Sequence, residues 1–158
     1  MLELIVTNND LDMGLLDTST TATGTDTIQV RNYMSSGYIM QMTGPPPKMG
    51  SHTFEGMAIA AESEPGIEQF GVNLVNNSSP NIGTDPVQVP SGDFSFGVAS
   101  IDYNVGDYFK FIDGDVIAES LTSSGRTDYT LSMIMNISEL TPGGKYTGKF
   151  SIIVTPTF

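Results

Sequence analysis

Carboxylates are the most abundant side chains in this chain that could do chemistry, with 18 Asp and Glu residues against six Lys and Arg. The run IDGDVIAE places Asp113 and Asp115 two residues apart, with Glu119 nearby. Closely spaced oxygen ligands in a loop are typical of Ca²⁺ sites, so these three residues are the candidate metal ligands and Ca²⁺ is the only candidate cofactor. An EF-hand loop needs further alternating acids or amides and a glutamate at its twelfth position, which this run lacks. The alternative, which we favour, is a tight turn at Gly114 between two strands, flanked by solvated aspartates.

No catalytic residues are expected. His52 is the only histidine, and it lies in a Gly-Ser-His-Thr stretch in a chain without the Gly-x-Ser-x-Gly motif. Zinc normally requires at least two His or Cys ligands, and the chain has no cysteine. A pair of carboxylates could serve a glycosidase, but the chain has no Trp to form an aromatic platform for a sugar. We therefore predict that the protein is not an enzyme.

Composition argues against two classes of partner. The net charge is −12 with six basic residues, whereas a nucleic-acid-binding surface needs a basic stripe that displaces counterions. No apolar run reaches the roughly 18 residues of a membrane-spanning helix, so we predict no membrane insertion.

The polar surface must be built largely from Thr, Ser, Asn and Gly. Charged residues make up 15% of the chain, below the roughly 25% of average proteins. This composition is common in secreted β proteins, and we expect an extracellular or cell-surface location. Residues 1–6 are too short and too poor in basic residues to form a signal peptide, so the chain would be the mature part of an exported protein.

Alternation of apolar and polar residues with a period of two predicts an all-β fold. The runs 129–138 and 145–158 both place alternate apolar side chains on one face, with Ile134 as the exception in the first run. The apolar positions are Tyr129, Leu131, Met133, Met135 and Ile137 in the first run, and Tyr146, Phe150, Ile152 and Val154 in the second.

We predict a single domain, residues 1–158, that forms an antiparallel two-sheet sandwich, Ig-like or jelly-roll-like, with about nine or ten strands. A closed barrel is the alternative, but the long proline-containing connection 76–92 favours a crossing between two sheets. Other strands are predicted at 2–7, 13–16, 26–34, 38–43, 68–75, 94–99 and 108–120.

Two connections are predicted from their turn chemistry. Residues 35–37 should form a hairpin turn that pairs 26–34 with 38–43, and the three prolines at 45–47 should end the second of these strands. The Thr-rich stretch 18–25 should be an irregular polar loop.

The segments GYIMQMTG, EQFGVNLVNNSSPNIG and YTLSMIMNISELTPGGKYTGKFSIIVTPTF resemble the C-terminal β module of secreted bacterial surface proteins, a group that includes WxL-type, spore-coat-U-like and pilin-like sandwiches. The turn 141–147 and the terminal Phe158 match the layout of that group. The chain lacks the Trp-x-Leu motif itself. The resemblance implies an extracellular, non-enzymatic sandwich used for surface display, adhesion or filament assembly.

Two functions therefore compete. The first is a structural or adhesive surface protein, such as a filament or pilus-like subunit, that associates with itself or with other surface proteins by strand addition. The N-terminal run would supply the assembly strand through Leu2, Leu4 and Val6. The C-terminal run 148–158 is the second candidate donor, but for this run we favour the alternative, a closing strand within its own chain. The alternative is a monomeric module that binds carbohydrate or a Ca²⁺-dependent ligand through Asp113, Asp115, Tyr103 and Tyr108.

Overall fold

The computed structural model describes residues 1–8, 10–33, 36–91 and 97–158, and the regular secondary structure in this part of the chain is entirely β. Thirteen strands occur among these residues, more than predicted, because five of them have two residues and are too short to show alternation in the sequence. The strands are β1 (Leu2–Val6), β2 (Ala22–Asn32), β3 (Gly37–Thr43), β4 (Lys48–Met49), β5 (His52–Thr53), β6 (Ala61–Glu62), β7 (Gln69–Asn73), β8 (Val87–Val89), β9 (Val98–Ala99), β10 (Tyr108–Phe109), β11 (Val116–Ser120), β12 (Ser124–Asn136) and β13 (Ser151–Thr157).

Two antiparallel sheets form a sandwich, which confirms the predicted fold class. The strand order of the first, sheet A, is β1-β2-β12-β7, and β8 also pairs with β12. The strand order of the second, sheet B, is β13-β3-β11-β9. Two short ladders, β4 with β5 and β6 with β10, lie outside these sheets.

The core lies between the sheets and follows the alternation seen in the sequence. Tyr129 and Leu131 on β12 belong to one buried cluster with Tyr38, Met40 and Met42 on β3. The Tyr38 and Tyr129 hydroxyls lie 2.7 Å apart, so each ring bridges the two sheets and gives the other a hydrogen-bond partner. Burial raises the pKa of both hydroxyls, which therefore stay neutral.

Ile134, the exception to the alternation on β12, is explained by a second apolar cluster. It is fully buried on the opposite face of the strand, where it packs with Met57 and Phe109. The segments around β6 and β10 therefore cover part of the outer face of sheet A.

The predicted hairpin between 26–34 and 38–43 is wrong. The first run forms β2, which lies between β1 and β12, whereas the second forms β3, which lies between β13 and β11 in the other sheet. Two residues of this connection, 34 and 35, lie outside the described part of the chain. Alternation determines which face of a strand is buried, but it does not determine which strand lies beside it.

Three further local predictions need comment. The run 13–16 contains no strand, and 22–25 is not a loop but the beginning of β2, paired with β12. Threonine is β-branched and suits a strand once a partner supplies the hydrogen bonds. The predicted strand 94–99 lies partly outside the described residues, and its end forms β9.

Candidate functional site

A large groove opens between the sheets on the side where β1 ends sheet A and β13 ends sheet B. Val6 of β1 and Ile152 of β13 both line it, and its volume is about 1120 Å³. This volume is at or above the upper end of the roughly 300–1,000 Å³ of small-molecule pockets. Its floor is apolar and is formed mainly by Ile28, Met42, Leu131, Met133, Met135 and Phe150.

The predicted assembly strand is β1, the edge strand that borders this groove. Among the described residues it pairs with β2 alone, in register from Leu2 opposite Asn32 to Val6 opposite Ile28. The side chains of Leu2 and Leu4 are partly buried against the core, and Val6 is 36% exposed. The contacts of β1 therefore come from one neighbouring strand and one side of the core.

The ladder between β1 and β2 ends at the Asp26 carboxylate. Thr7 donates its amide to the Thr27 carbonyl at 3.0 Å, but the Thr27 amide donates to Asp26 Oδ1 at 2.7 Å instead of to Thr7. The same Oδ1 accepts the Thr7 hydroxyl at 2.9 Å and the Asn8 amide at 3.0 Å. The Asp26 carboxylate therefore accepts backbone amides that would otherwise extend the ladder between β1 and β2, and the chain leaves the edge of β2 after Asn8.

Residues 10–16, here called the plug, then lie along the groove. The plug has no regular strand, but Leu11, Met13 and Leu16 are partly buried, and the last two pack against the core. A Cβ at Gly24 of β2 would lie 2.6 Å from Met13 Sδ and 2.8 Å from Leu11 Cδ2. The plug therefore sits directly on β2, at a position where glycine leaves room for it.

Four exposed residues, 17–20, connect the plug to the region of β2 and are here called the hinge. Asp17 and Thr20 form an isolated antiparallel bridge. The Ser19 amide donates to Asp17 Oδ1 at 2.7 Å, and the Ser19 hydroxyl donates to the same oxygen. These bonds hold the pKa of Asp17 below its ordinary value. Residues 1–16, here called the arm, are thus joined to the rest of the sandwich through one locally stabilised turn.

The arm and the opposite wall of the groove carry opposite charges. Glu3, Asp10 and Asp12 are the charged side chains of the arm, which contains no Lys or Arg. The opposite wall, residues 141–152, carries Lys145 and Lys149, both exposed. The two lysines line the groove together with Asp10 and Asp12.

Behind this wall, Glu68 connects three parts of the chain. It accepts the Thr141 hydroxyl at 2.7 Å and the Glu55 amide at 3.0 Å, and it lies 3.0 Å from His52 Nε2. Burial acts to raise the Glu68 pKa, but these hydrogen bonds and the His52 charge outweigh it and leave the pKa below its ordinary value. Tyr146 packs edge-on against His52, so the cluster anchors the wall of the groove.

The only histidine is therefore part of a structural clamp. A hydroxyl activated by histidine must bond to the imidazole, with the carboxylate on the other ring nitrogen. Here the Thr141 hydroxyl donates to Glu68, and His52 meets the same carboxylate.

A turn forms at Gly114 as predicted, but the strands on either side of it do not pair with each other, since β10 pairs with β6 and β11 pairs with β3 and β9. Gly114 has a φ of +87°, a conformation that favours glycine, and its amide donates to the Met42 carbonyl at 2.9 Å. Asp113 and Asp115 flank this turn, but their carboxylates have different partners. Asp113 Oδ1 accepts the Gly44 amide at 2.8 Å.

Asp115 belongs to a separate polar network. It accepts the Tyr103 hydroxyl at 2.8 Å and lies 3.2 Å from Lys110 Nζ. The third predicted ligand, Glu119, lies further along on β11. Within the described ranges, no group of three or more His, Cys, Asp or Glu side chains is arranged to hold a metal ion.

The aromatic residues proposed for ligand binding differ in exposure. Tyr103 is 1% exposed, because its ring is covered and its hydroxyl is bound to Asp115, whereas Tyr108 is 39% exposed. Tyr108 is therefore accessible to a ligand at the surface, whereas the buried Tyr103 is not.

The second candidate donor strand, β13, is the edge of sheet B. Thr157 accepts the Ser36 amide at 3.0 Å on the side of β3, so by alternation the backbone of Ile152, Val154 and Pro156 faces outward. Proline has no amide hydrogen, so Pro156 removes a donor from the outer edge without breaking the ladder. This placement agrees with the preference of proline for edge strands, and it makes β13 a poor template for an added strand.

A comparison with protein families, with curated proteins and with solved structures found no match to this chain. The described residues include no helix with the length and hydropathy needed to cross a membrane.

Sequence reasoning identified β1 but missed the groove, the plug and the hinge. Gly24 was the available signal, because a glycine inside a strand pattern often marks a close approach of other atoms. The run 18–25 was predicted to be a loop, however, and a glycine in a loop carries no such signal.

Proposed function

We propose that this protein is a non-enzymatic extracellular structural or adhesive protein, pilin-like in the general sense, whose copies assemble by strand addition with β1 as the donated strand. One observation carries the proposal. β1 is an edge strand that pairs with β2 alone among the described residues. It is joined to the sandwich by a connection in which residues 7, 8 and 10–21 contain no strand. Every contact that β1 makes with its own β2 is equally available on the β2 of another copy.

The chemistry of the remaining groups supports a structural role. The single histidine is held in the Glu68 clamp, and Asp115 is bound to Tyr103 and Lys110. The resemblance of the C-terminal segments to surface sandwiches and the low content of charged residues support the extracellular location.

The alternative, a monomeric module for carbohydrate or Ca²⁺-dependent ligands, has less support. Of its four proposed contact residues, Asp115 and Tyr103 are hydrogen-bonded to each other, and Asp113 is bound to a backbone amide.

Light scattering and negative-stain imaging of the full chain, compared with a chain lacking residues 1–7, test the proposed function. We expect oligomers or filaments of the full chain that disappear on truncation. A full-length variant with Leu2→Ser and Leu4→Ser provides a second test if the truncated chain does not fold. Ile153→Ser on β13 is the matched control, since Ile153 is an exposed residue of the other edge strand. A full chain that remains a monomer at every concentration would contradict assembly and favour the ligand-binding module.

A further inference from the structure

We propose that the unit exchanged between copies is the whole arm, residues 1–16, and that the groove of one copy is the binding site for the arm of another. This inference rests on the proposed donation of β1. It adds the receptor surface, the plug residues that recognise it and the hinge about which the arm moves.

The fit of this occupant is visible in the structure, because the arm of the same chain already lines one side of the groove, through Val6 of β1 and the residues of the plug. β1 forms the edge of sheet A. The Asn8 amide makes the last bond to Asp26, and the plug begins two residues later, at Asp10. The Asp26 carboxylate holds both Thr7 and Asn8 against β2, so residues 7–8 are bound to the same strand as β1. When β1 leaves β2, the plug that directly follows is drawn out of the groove with it.

Gly24 makes the recognition specific. Leu11 and Met13 occupy the space in which any other residue at position 24 would place its Cβ. The neighbouring position on β12 is Met133, which also lines the groove. The arm of a second copy would find the same shallow site on β2, lined by the same side chains.

Charge favours the same occupant. Copies with a net charge of −12 repel one another over most of their surfaces. Of the three carboxylates of the arm, Asp10 and Asp12 line the groove with Lys145 and Lys149, whereas Glu3 lies 3.4 Å from Arg31 of β2. An incoming acidic arm therefore meets one of the few basic surfaces of the chain, and the attraction should weaken as salt is added.

The hinge gives the arm a route to a neighbour. Its bridge and its Ser19 bonds to Asp17 are local, so opening this turn breaks no strand pairing other than that of β1 with β2, which the departing arm gives up. Four extended residues span about 13 Å. Opening would place the arm in line with β2 and away from its own groove, which is the geometry of reciprocal or sequential exchange.

Cysteine pairs in the full chain test the proposal, because the natural chain contains no cysteine. A disulfide places the sulfur of one cysteine about 3 Å from the Cβ of the other. Leu11 Cγ lies 3.1 Å from the Cβ position of residue 24, so Leu11→Cys and Gly24→Cys match this geometry. Every variant also carries Met13→Ala, because Met13 Sδ lies 2.6 Å from the same Cβ position. Two single variants, one with each substitution, are mixed, unfolded, refolded together at increasing protein concentration and oxidised.

We expect a covalent dimer of the two variants, identified by its mass, with at least about tenfold more product than a mixture of Leu15→Cys with Gly24→Cys. Leu15 is 99% exposed and serves as the control within the plug. The yield should rise with protein concentration.

The double variant in one chain makes a negative result decisive. If it closes an internal disulfide while the mixture gives no dimer, the arm stays in its own chain and the proposal is overturned. If neither cross-links, the plug does not rest on Gly24 and the receptor site is wrong. Assembly of the natural chain by light scattering is read separately. Oligomers of the natural chain without cross-linked dimers would support the proposed function and contradict exchange of the arm. Cross-linked dimers from a natural chain that is a monomer by light scattering would support exchange of the arm and contradict the proposed function.

Discussion

Replacing Gly24 with valine should release the plug while leaving β2 intact. The Cβ added at this position lies 2.6 Å from Met13 Sδ and 2.8 Å from Leu11 Cδ2, closer than real Cβ contacts allow. Both atoms are near the ends of flexible side chains, so the plug is expected to move and the strand to stay. Valine itself suits a strand, because β-branched residues pack well on a pleated surface.

The magnitude is bounded by what the plug contributes. Overpacking costs about 1–3 kcal/mol, and complete burial of a Leu or Met side chain stabilises a protein by about 1.5–3 kcal/mol. Leu11 and Met13 are only partly buried, so undocking both costs roughly 2–3 kcal/mol. Removing a glycine from a strand returns about 0.5–1 kcal/mol. The expected net loss is about 1–2 kcal/mol in the free energy of unfolding.

Urea unfolding measures this loss, and hydrogen exchange locates it. The ladder between β2 and β12 should keep its protection against exchange, because the loss is confined to the packing of the plug. Gly143→Val is the matched control, since no atom lies within 4 Å of a Cβ at Gly143, and it should change stability by less than about 0.5 kcal/mol.

A double-mutant cycle decides whether the plug is responsible. In a chain that already carries Leu11→Ala and Met13→Ala, the methyl groups of the introduced valine have space, so Gly24→Val should cost less by at least about 0.5 kcal/mol. An equal cost in both backgrounds would refute the packing of the plug on β2.

Three further predictions follow from the clamp, the core and the turn. Glu68→Gln should destabilise the protein at neutral pH. The lowered pKa of Glu68 gives stability that is present above the ordinary glutamate pKa of about 4.3 and is lost as the pH falls, so the difference between variant and natural chain should vanish in acid melts. Tyr38→Phe should cost more than Tyr129→Phe in urea unfolding, because the Tyr38 hydroxyl also interacts with Thr127, and its removal leaves the buried Tyr129 hydroxyl without this partner. Millimolar Ca²⁺ should leave the melting temperature unchanged, since Asp115 is already paired. Saturation at 100-fold over Kd would add about 2.7 kcal/mol, so a rise of several degrees would restore the predicted metal site.

The sequence predicted the class of fold and the main core face of β12 correctly, because both depend on local alternation. It did not predict that the opposite face of β12 is buried as well, at Ser132, Ile134 and Asn136. The buried cluster contains Tyr129, Leu131 and Met135 as expected, and Gly114 forms the predicted turn. The partly buried positions of β13 alternate in the same way. A period of two is a property of the strand itself and needs no knowledge of its neighbours.

The alternation of apolar and polar residues could not predict which strands pair with each other. β2 and β3 follow each other in the chain and lie in different sheets, while β2 and β12 pair across about one hundred residues. Ala22–Asn32 includes a Thr-rich beginning that has no apolar alternation and is ordered by β12. Hydrogen bonds from a distant partner therefore overrode the local appearance of a loop.

The sequence by itself determined that this chain forms a β sandwich with an apolar N-terminal strand, and it indicated the residues of that strand. Tertiary structure alone decided that this strand is an edge, that the plug follows it into a groove and that Gly24 leaves room for the plug. The reason is physical: alternation is encoded within each strand, whereas an edge, a groove and a close approach exist only between segments that the fold brings together.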